Sequence, residues 1–533
     1  MSPVTSSSAP HGPSFQRDDM LRRLEHEDFD VVVVGGGITG AGVALDAATR
    51  GLRVALVERD DFASGTSSKS SKLVHGGLRY LQQGEIGLVY QALHERQRLR
   101  RNAPHLVKVL PFMIPVLTKD GVVSRKIARA LGSAMWMYDL TGGWRIGRFH
   151  RRLRHAAAFA HLPTMPEGRL ASAYLYYDAT VDDARLVLTV ARTAADHGAA
   201  VVNRCRVVEL SNDAADRVDG VVVEADGRRL TVRTRAVVNA AGVWSDEVRT
   251  LDEGHDPDSI RPAKGVHLTV PWAKVRNDIA VVIPVPGDKR SLFVVPWGPL
   301  PDGTFRHTYI GTTDTDYDGP LDDPQCTSAD IEYVLRALNA SITTTVTVDD
   351  VSGVWAGLRP LVKSGASGRT ADLSRRHKVN ATASGVVTVT GGKLTTFREM
   401  AEDTVDAVLS HLGRRAACRT RSLALHGAKG FVDRGVAPGR FGHLPHRFGT
   451  AATEVEALVA ADASLGEPLI GGLPYLRAEA VYAVRHEMAT TLDDVLTRRI
   501  PARLFEREAA VAAARPTAEL LAAVEAVNSR QVV

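Results

Sequence analysis

The chain has 533 residues, of which 44% are hydrophobic and 24% are charged, with a formal net charge of +5. These are ordinary values for a soluble protein of two or three domains, and the mild positive bias favours anionic substrates without indicating nucleic acid. Its three cysteines, Cys205, Cys326 and Cys418, are too few and too scattered for a disulfide framework or a thiolate metal cluster.

The N-terminal residues 1–27 are rich in serine, proline and charge, and we predict a disordered tail there. They lack the apolar stretch of a signal peptide. The sequence contains no apolar run of about 18 residues that would span a bilayer. Any membrane contact is therefore expected to be peripheral, on a cytoplasmic protein.

Ordered structure is predicted to begin at Phe29, in the stretch FDVVVVGGGITGAGVALDAATRGLRVALVERD. A β-branched run followed by Gly35, Gly37 and Gly40 has the form of a strand, a glycine turn and a helix. The glycines allow the tight turn, the approach of a pyrophosphate and the packing of helix on strand. A second strand ends at Glu58, whose carboxylate suits ribose hydroxyls and repels a 2′-phosphate. The sequence therefore predicts a site for an adenine dinucleotide.

Later stretches favour FAD over NAD as that dinucleotide. A hydroxyl-rich loop, DFASGTSSKSSKL, follows the second strand, where a nicotinamide dehydrogenase usually continues with helix and strand. The stretch VVNAAGVWSDEV predicts another strand that runs into a turn at Gly242. Farther on, VVTVTGGKLTTFREMAEDTVDAVL predicts a strand, two glycines and a helix capped by Thr395 or Thr396. The N-terminus of that helix would stabilise negative charge on a reduced flavin.

These blocks resemble the FAD-dependent oxidoreductases of the D-amino acid oxidase superfamily. Together with TSSKSSKLVHGGLRYL, YYDATVDDARLVL, IGTTDTDYDG, SGVWAGLRPL and GGKLTTFREMAE, they closely resemble the FAD-dependent glycerol-3-phosphate dehydrogenases. The C-terminal YLRAEAVYAVRHEMATTLDDVLTRRI is similar to the helical tail of that family. The resemblance implies an α/β fold: a Rossmann-like FAD-binding domain, a β-sheet-rich substrate domain and a C-terminal α-helical domain.

The resemblance also implies how the chain is divided. The oxidoreductase region covers residues 28–411, and the C-terminal helical domain covers residues 412–533. The FAD domain is expected to be assembled from segments near 28–80, 170–260 and 350–411, and the substrate domain from segments near 81–169 and 261–349.

Glycerol 3-phosphate is a small dianion, and oxidation of its secondary alcohol needs a clamped phosphate, a carbon held over the flavin and a base. Arginine suits the clamp because its fork binds phosphate oxygens in pairs. The resemblance surrounds the substrate with Arg79, Tyr80, Arg359, Arg375 and Lys393. A surface ion pair is the alternative for Arg79, a solvated role is the alternative for Arg359, and Arg376 is an equal candidate to Arg375.

Two histidines, His75 and His267, are candidates for the base or for a partner of the substrate hydroxyl, and a structural core role is the alternative for either. We take His75, Arg359 and Lys393 as the catalytic set. We take Arg79, Tyr80, His267 and Arg375 as the substrate-binding set.

The cofactor is predicted to be FAD, bound without a covalent link, because no cysteine lies in a flavin-contacting motif. No metal site is predicted, since the histidines are scattered without paired acids. The resemblance assigns the following residues to the cofactor: Gly35, Gly37, Ile38, Thr39, Gly40, Glu58, Thr66, Ser67, Ser68, Lys72, Leu73, Gly76, Gly77, Ala241, Gly242, Trp244, Gly392, Leu394 and Thr395.

A single dinucleotide motif argues against reduction of this flavin by NAD(P)H, and quinone is the usual acceptor of the family. Residues 125–154, here called the basic segment, carry eight cations and one acid, Asp139. The cations are Arg125, Lys126, Arg129, Arg145, Arg148, Arg151, Arg152 and Arg154, and the interleaved residues are Met135, Trp136, Met137, Tyr138, Trp144 and Phe149. We predict that this segment docks on the anionic inner face of the cell membrane. The alternative is a solvated basic face with its aromatic residues turned into the core.

Three functions compete at this stage. The leading hypothesis is a peripheral membrane flavoenzyme that oxidises sn-glycerol 3-phosphate to dihydroxyacetone phosphate and reduces quinone. The second is an oxidase that reduces oxygen to peroxide, and the third is a nucleotide-holding module without turnover that uses its arginines on nucleic acid. The cations predicted around the flavin argue against the third. The oligomeric state stays open, with a homodimer among the options.

Overall fold

The valine run after Phe29 forms the central strand, Val31–Val34, of a six-stranded sheet, and all four side chains are buried. This computed structural model describes residues 15–78, 85–117, 125–288, 290–363 and 376–531. The central strand pairs in parallel with Val54–Val57 and Val237–Asn239, as a run of β-branched residues buried on both faces predicts. The sheet is completed by Ala200–Val202, Val386–Thr390 and the antiparallel edge strand Lys378–Ala381.

Three helices pack together beside this sheet: Ile38–Thr49, Asp183–Asp196 and Phe397–His411. The second of them begins where the side chain of Asp182 accepts a hydrogen bond from the backbone N–H of Arg185. A three-stranded meander lies beside the sheet: Arg206–Asn212, Val218–Ala225 and Arg228–Arg233. Its last two strands meet at Asp226 and Gly227, whose φ angles of 52° and 72° match the tight turn that an Asp-Gly pair favours.

A ten-stranded sheet forms the second layer of the molecule. Its strands are Leu73–Val74, Lys108–Leu117, Arg151–Arg154, Leu170–Thr180, Ile260–Pro271, Ala280–Pro284, Ser291–Pro299, Phe305–Gly311, Thr315–Asp316 and Gly353–Val362. The short strand Leu73–Val74 and two longer strands of this sheet come from segments that the sequence assigned to the FAD domain. The two longer strands are Leu170–Thr180 and Gly353–Val362. They pair over their full length with Lys108–Leu117 and Ile260–Pro271, so backbone hydrogen bonding assigns them to this sheet.

The remaining helices of the oxidoreductase region are Ile86–Asn102, Arg125–Leu140, His155–Ala160, Ser245–Glu253, Trp272–Val275 and Ser328–Asn339. The C-terminal region is helical: Pro445–Phe448, Ala452–Ala461, Arg477–Glu487, Ala502–Phe505, Arg507–Ala512 and Ala514–Gln531. It has its own buried apolar clusters. The predicted α/β architecture with a helical C-terminal domain is confirmed. Within the described ranges, no helix is both long enough and apolar enough to cross a bilayer.

The N-terminal segment departs from the sequence prediction of a disordered tail. Residues Arg17–His26 form a helix that buries Met20, Leu21 and Leu24, and it lies against the edge strand Ala200–Val202. These apolar residues recur at helical spacing between charged ones, which is enough to anchor one face of a short helix. The ordered chain therefore begins before the first sheet strand.

Candidate active site

A cleft of about 320 Å³ opens where the parallel strands of the six-stranded sheet end. Its walls follow directly on strands that end at Val34, Val57 and Asn239. Twelve of the residues predicted to bind the cofactor line it: Gly35, Gly37, Ile38, Thr39, Glu58, Thr66, Ser67, Ala241, Gly242, Trp244, Gly392 and Leu394. We call it the cofactor cleft.

The glycine turn has the geometry that its spacing predicts. Gly35 has a φ of 110°, and a Cβ there would lie 2.6 Å from the carbonyl oxygen of Ala240. Gly40 does not line the cleft, and a Cβ there would lie 1.9 Å from the carbonyl oxygen of Gly35. The first glycine therefore permits the turn, and the third lets the helix pack on the strand.

The carboxylate of Glu58 sits at the wall of the cleft and is held by two backbone N–H groups. Gly36 donates to Oε2 at 2.6 Å, and Asp60 donates to Oε1 at 2.8 Å. Burial raises the pKa of Glu58 to about 7, although these two hydrogen bonds oppose the change. Each carboxylate oxygen keeps a second lone pair that a ribose hydroxyl can use.

The residues of the cleft fit FAD. The indole Nε1 of Trp244 is buried in the wall with no hydrogen-bond partner among the described residues, so it has a donor to offer. The hydroxyl of Ser67 accepts from the N–H of Ile38 at 3.0 Å, which fixes the loop against the first turn of the dinucleotide helix. Helix N-termini of this kind bind phosphate groups.

A second cavity of about 180 Å³, here called the substrate cavity, adjoins the cofactor cleft. The two share one wall, formed by Thr66, Pro360, Gly391, Gly392, Lys393 and Leu394. Nine residues that the sequence assigned to the site line the substrate cavity: Thr66, Leu73, His75, His267, Arg359, Gly392, Lys393, Leu394 and Thr395. A group at the shared wall would therefore face both a dinucleotide and a small molecule.

Arg359 points into the substrate cavity from a strand of the ten-stranded sheet. Its NH1 donates to Asp314 Oδ1 at 2.9 Å, and its NH2 donates to the hydroxyl of Thr312 at 3.3 Å. The Arg359 side chain is 21% exposed and the Asp314 side chain is 7% exposed. Gly265 makes room for the guanidinium, since a Cβ there would lie 2.7 Å from Arg359 NH2. The cation is thus oriented before any ligand binds.

His267 is fully buried in the wall of the substrate cavity. Its Nε2 lies 2.9 Å from the hydroxyl oxygen of Ser71, and its ring stacks on Trp355 with centroids 4.8 Å apart. Burial, with the nearby charges of Arg359 and Lys72, lowers its pKa well below the usual value. His267 is therefore neutral at physiological pH.

His75 lies across the substrate cavity and is held through its backbone. The hydroxyl of Thr395 accepts from the N–H of His75 at 3.1 Å and donates to its carbonyl oxygen at 3.2 Å. Thr395 belongs to the turn that precedes the helix Phe397–His411. Residues 320 positions apart are thereby brought to one wall of the site.

Besides Gly40, four residues assigned to the cofactor line neither cavity: Ser68, Lys72, Gly76 and Gly77. Lys72 is instead buried against Asp183, whose carboxylate it neutralises. Lys69, which the sequence did not assign to the site, lines the substrate cavity, and burial lowers the pKa of its ammonium group. Ser68 is buried behind the cavity walls. The N–H of Gly76 donates to Asp178 Oδ1 at 3.1 Å, so Gly76 has a structural partner.

Three residues of the substrate-binding set, Arg79, Tyr80 and Arg375, lie outside the described residues. Arg376, the alternative to Arg375, forms an exposed ion pair with Glu85 and does not line the substrate cavity. The sequence missed Lys69, Ser71 and Asp314. Their signal was their position inside the hydroxyl-rich loop and inside IGTTDTDYDG.

Comparison with known families agrees with this geometry. Residues 30–398 match the family described as FAD dependent oxidoreductase, and residues 418–531 match the C-terminal domain of alpha-glycerophosphate oxidase. The chain therefore belongs to the FAD dependent oxidoreductase family, and FAD is its cofactor.

Individual relatives narrow the family further. The chain is 43% identical to glycerol-3-phosphate dehydrogenase 2 of Mycobacterium tuberculosis, over 96% of this chain and 87% of that protein. It is 35% identical to a mitochondrial glycerol-3-phosphate dehydrogenase of Arabidopsis thaliana, over 96% of this chain and 85% of that protein. The crystal structure of glycerol-3-phosphate dehydrogenase from Bacillus halodurans with FAD has a TM-score of 0.71 and 29% identity, over 92% of this chain and 90% of that one. The chain is thus a member of the FAD-dependent glycerol-3-phosphate dehydrogenases.

Proposed function

We propose that the protein oxidises sn-glycerol 3-phosphate to dihydroxyacetone phosphate and passes the electrons to a membrane quinone. The observation that supports this substrate is the substrate cavity, where Arg359 and Lys393 line a space that adjoins the cofactor cleft. Two cations on the wall of one small cavity suit a dianion. FAD, when bound, supplies the acceptor for the hydride.

The cations take the phosphate in this proposal. Arg359 offers a fork to two phosphate oxygens, while Lys393 acts as a point charge. Asp314 orients the fork through its 2.9 Å contact with Arg359. Holding the phosphate in this way positions the second carbon of the substrate beside the shared wall.

The two histidines have different roles toward the substrate alcohol in this proposal. We assign the base to His75, which would take the hydroxyl proton as hydride leaves the carbon. A good base has a pKa near the working pH, and the lowered pKa of His267 makes it a poor one. As a neutral ring, His267 suits a hydrogen bond to a substrate hydroxyl and keeps the cavity free of a further charge.

The proposed membrane contact rests on an exposed apolar face of the basic segment. We call it the docking face: Trp136 is 57% exposed, Met137 41%, Leu140 74%, Trp144 48% and Phe149 57%. Met135 and Tyr138 are buried, so of the aromatic residues named in this segment only Tyr138 is turned into the core. Trp at an interface and exposed Leu and Phe favour insertion into the headgroup region of a bilayer.

The charge around the docking face favours an anionic leaflet. Arg148, Arg151, Arg152 and Arg154 are exposed in the same segment, and each contributes on the order of 1 kcal/mol near such a surface. The single acid, Asp139, is buried and accepts from the ring Nδ1 of His150 at 2.7 Å, so it adds no exposed negative charge. The side chains of Arg125, Lys126 and Arg129 lie outside the described residues.

A hydrogen-bond network joins the helix Arg125–Leu140, which carries part of the docking face, to the segment that holds His75 at the substrate cavity. Tyr138, on the buried side of the helix Arg125–Leu140, donates to Asp178 at 2.7 Å. The same carboxylate oxygen accepts from the N–H of Gly76, in the pair of glycines assigned to the flavin. A lipid-soluble acceptor that enters at the docking face would approach the cofactor from this side.

An oxidase that reduces oxygen to hydrogen peroxide is the second candidate. It is favoured by the match of the C-terminal region to a domain of alpha-glycerophosphate oxidase. Structural similarity to the L-alpha-glycerophosphate oxidase of Mycoplasma pneumoniae, at 15% identity and a TM-score of 0.57, concerns the fold alone.

The acceptor is tested by turnover on vesicles. We expect glycerol 3-phosphate to drive rapid reduction of a quinone held in phosphatidylglycerol vesicles, with slow oxygen uptake in vesicles without quinone. Stoichiometric peroxide and an oxygen rate equal to the quinone rate would assign the protein to the oxidases.

A further inference from the structure

The loop that follows Glu58 lines both cavities, and we call residues 58–69 the cofactor loop. Glu58, Arg59 and the Ser64–Ser67 stretch line the cofactor cleft, while Thr66 and Lys69 line the substrate cavity. Both ligands therefore depend on the position of this one loop.

The cofactor loop is anchored by a carboxylate that touches neither cavity. Asp61 is fully buried, and its Oδ1 accepts from Asn203 Nδ2 at 3.0 Å. Arg498 donates to its Oδ2 from Nε at 2.6 Å. Arg499 binds the same carboxylate through both arms of its fork, with NH2 at 2.8 Å from Oδ1 and NH1 against Oδ2. The cations that neutralise this charge thus come from the C-terminal domain.

The two arginines are themselves held in place. Arg498 also contacts the carboxylates of Asp493 and Asp494, and Arg499 donates to the carbonyl oxygen of Glu487 at 2.7 Å. Both guanidinium groups are buried. A buried carboxylate that loses its cation carries a large penalty, so the loop cannot shift away from these partners cheaply.

The backbone of the cofactor loop needs such an anchor. Ala63, two residues after Asp61, has a φ of 63°, in the left-handed region that residues with a Cβ disfavour. Its N–H donates to the carbonyl oxygen of Gly36 in the glycine turn, at 3.1 Å. A residue in this conformation persists when its surroundings determine it. Asp61 and its arginines supply that constraint beside the dinucleotide turn.

We propose that Arg498 and Arg499 are positioning residues through which the C-terminal domain holds the cofactor loop in its FAD-binding form. This inference does not depend on the proposed substrate or acceptor. It assigns a role in cofactor retention to a domain that lines neither cavity in the described part of the chain.

The first test is the rate at which the holoprotein releases FAD on dilution, followed by the rise in flavin fluorescence. Arg499→Lys keeps the charge but removes the fork, and we expect release at least about tenfold faster, equal to about 1.4 kcal/mol. Arg498→Lys provides a second variant with the same expected direction.

A matched control is Arg192→Lys. Arg192 joins the same two domains by donating to the hydroxyl of Tyr482 at 2.8 Å, but it contacts no residue of the cofactor loop among the described contacts. We expect this variant to melt at a lower temperature and to release FAD at the wild-type rate. Equal release rates in Arg499→Lys and wild type, or equal acceleration in all three variants, would overturn the proposal.

A measurement on the unaltered holoprotein keeps the proposal testable if the variants do not fold. Hydrogen exchange across a denaturant series reports which segments open together. We expect the cofactor loop and residues 494–500 to reach the same opening free energy, because one ion cluster joins them. Opening of the loop at a lower free energy than residues 494–500 would refute the coupling.

Discussion

Replacement of Arg359 by methionine tests the phosphate clamp. The change keeps the apolar stem and removes the fork that faces the substrate cavity. A charge-assisted hydrogen bond contributes roughly 1.5–3 kcal/mol, or about 10- to 150-fold in an equilibrium constant. We expect kcat/KM for glycerol 3-phosphate to fall by that factor or more, because a misplaced carbon also lowers the rate. Inorganic phosphate should weaken as a competitive inhibitor by a similar factor.

The structure adds a complication, because Arg359→Met also removes the cation that neutralises the buried Asp314. The variant is therefore expected to melt at a lower temperature. In the double variant Arg359→Met/Asp314→Asn, the melting temperature should recover while kcat/KM stays low. Arg261→Met is the control, since Arg261 pairs with Asp316 and does not line the cavity.

Steady-state kinetics with glycerol 3-phosphate and with glycerol, together with the FAD content, check this prediction. FAD content should stay full, because Arg359 does not line the cofactor cleft. Turnover of glycerol, which has no phosphate to bind, should barely change. Loss of FAD, or an equal loss of activity on both alcohols, would refute the clamp.

Three further predictions follow from the site and the docking face. Denaturation should release free FAD, because the one cysteine in the cofactor cleft, Cys205, has a pKa raised by burial to about 12 and is no nucleophile; yellow colour left on the precipitated chain would contradict this. Protonation of the base should lower kcat/KM at low pH, and His75→Asn should abolish this pH dependence. His267→Asn should retain the pH dependence and raise KM, because the His267 ring, with its lowered pKa, is already neutral. The reverse result would identify His267 as the base. Glutamine at the four exposed arginines of the basic segment should weaken binding to anionic vesicles and quinone reduction but leave dye reduction intact, whereas glutamine at the exposed Arg228, Arg229, Arg233 and Arg235 should leave vesicle binding unchanged.

The parts of the fold that local sequence determines were predicted well. The glycine turn and the helix after it each depend on a few adjacent residues, and the structure has them at the predicted positions. The N-terminal helix was missed because its three apolar residues are buried by contact with the sheet edge, and the local sequence does not reveal that contact. For a related reason, the sequence did not predict which sheet two long strands join. Leu170–Thr180 and Gly353–Val362 are assigned by their pairing partners, which the sequence of one strand does not reveal.

The site shows the same division between local and long-range information. The sequence named residues in the right loops, but it chose Lys72 as a cofactor contact, whereas Lys72 lines neither cavity in the structure. The choice depends on Asp183, which lies 111 positions away and buries Lys72 by pairing with it. Asp314 and Ser71 were missed because each acts on a named residue from a different segment. Pairwise contacts of this kind cannot be derived from residue spacing.

Anaerobic mixing of the purified holoprotein with sn-glycerol 3-phosphate tests the central claim most directly. The claim is that the cavity beside the cofactor cleft delivers this alcohol to FAD. We predict that the visible absorbance of the bound flavin bleaches in proportion to the FAD present, with no added acceptor. Glycerol at the same concentration should bleach it far more slowly. A flavin that dithionite bleaches but glycerol 3-phosphate leaves yellow would contradict the account.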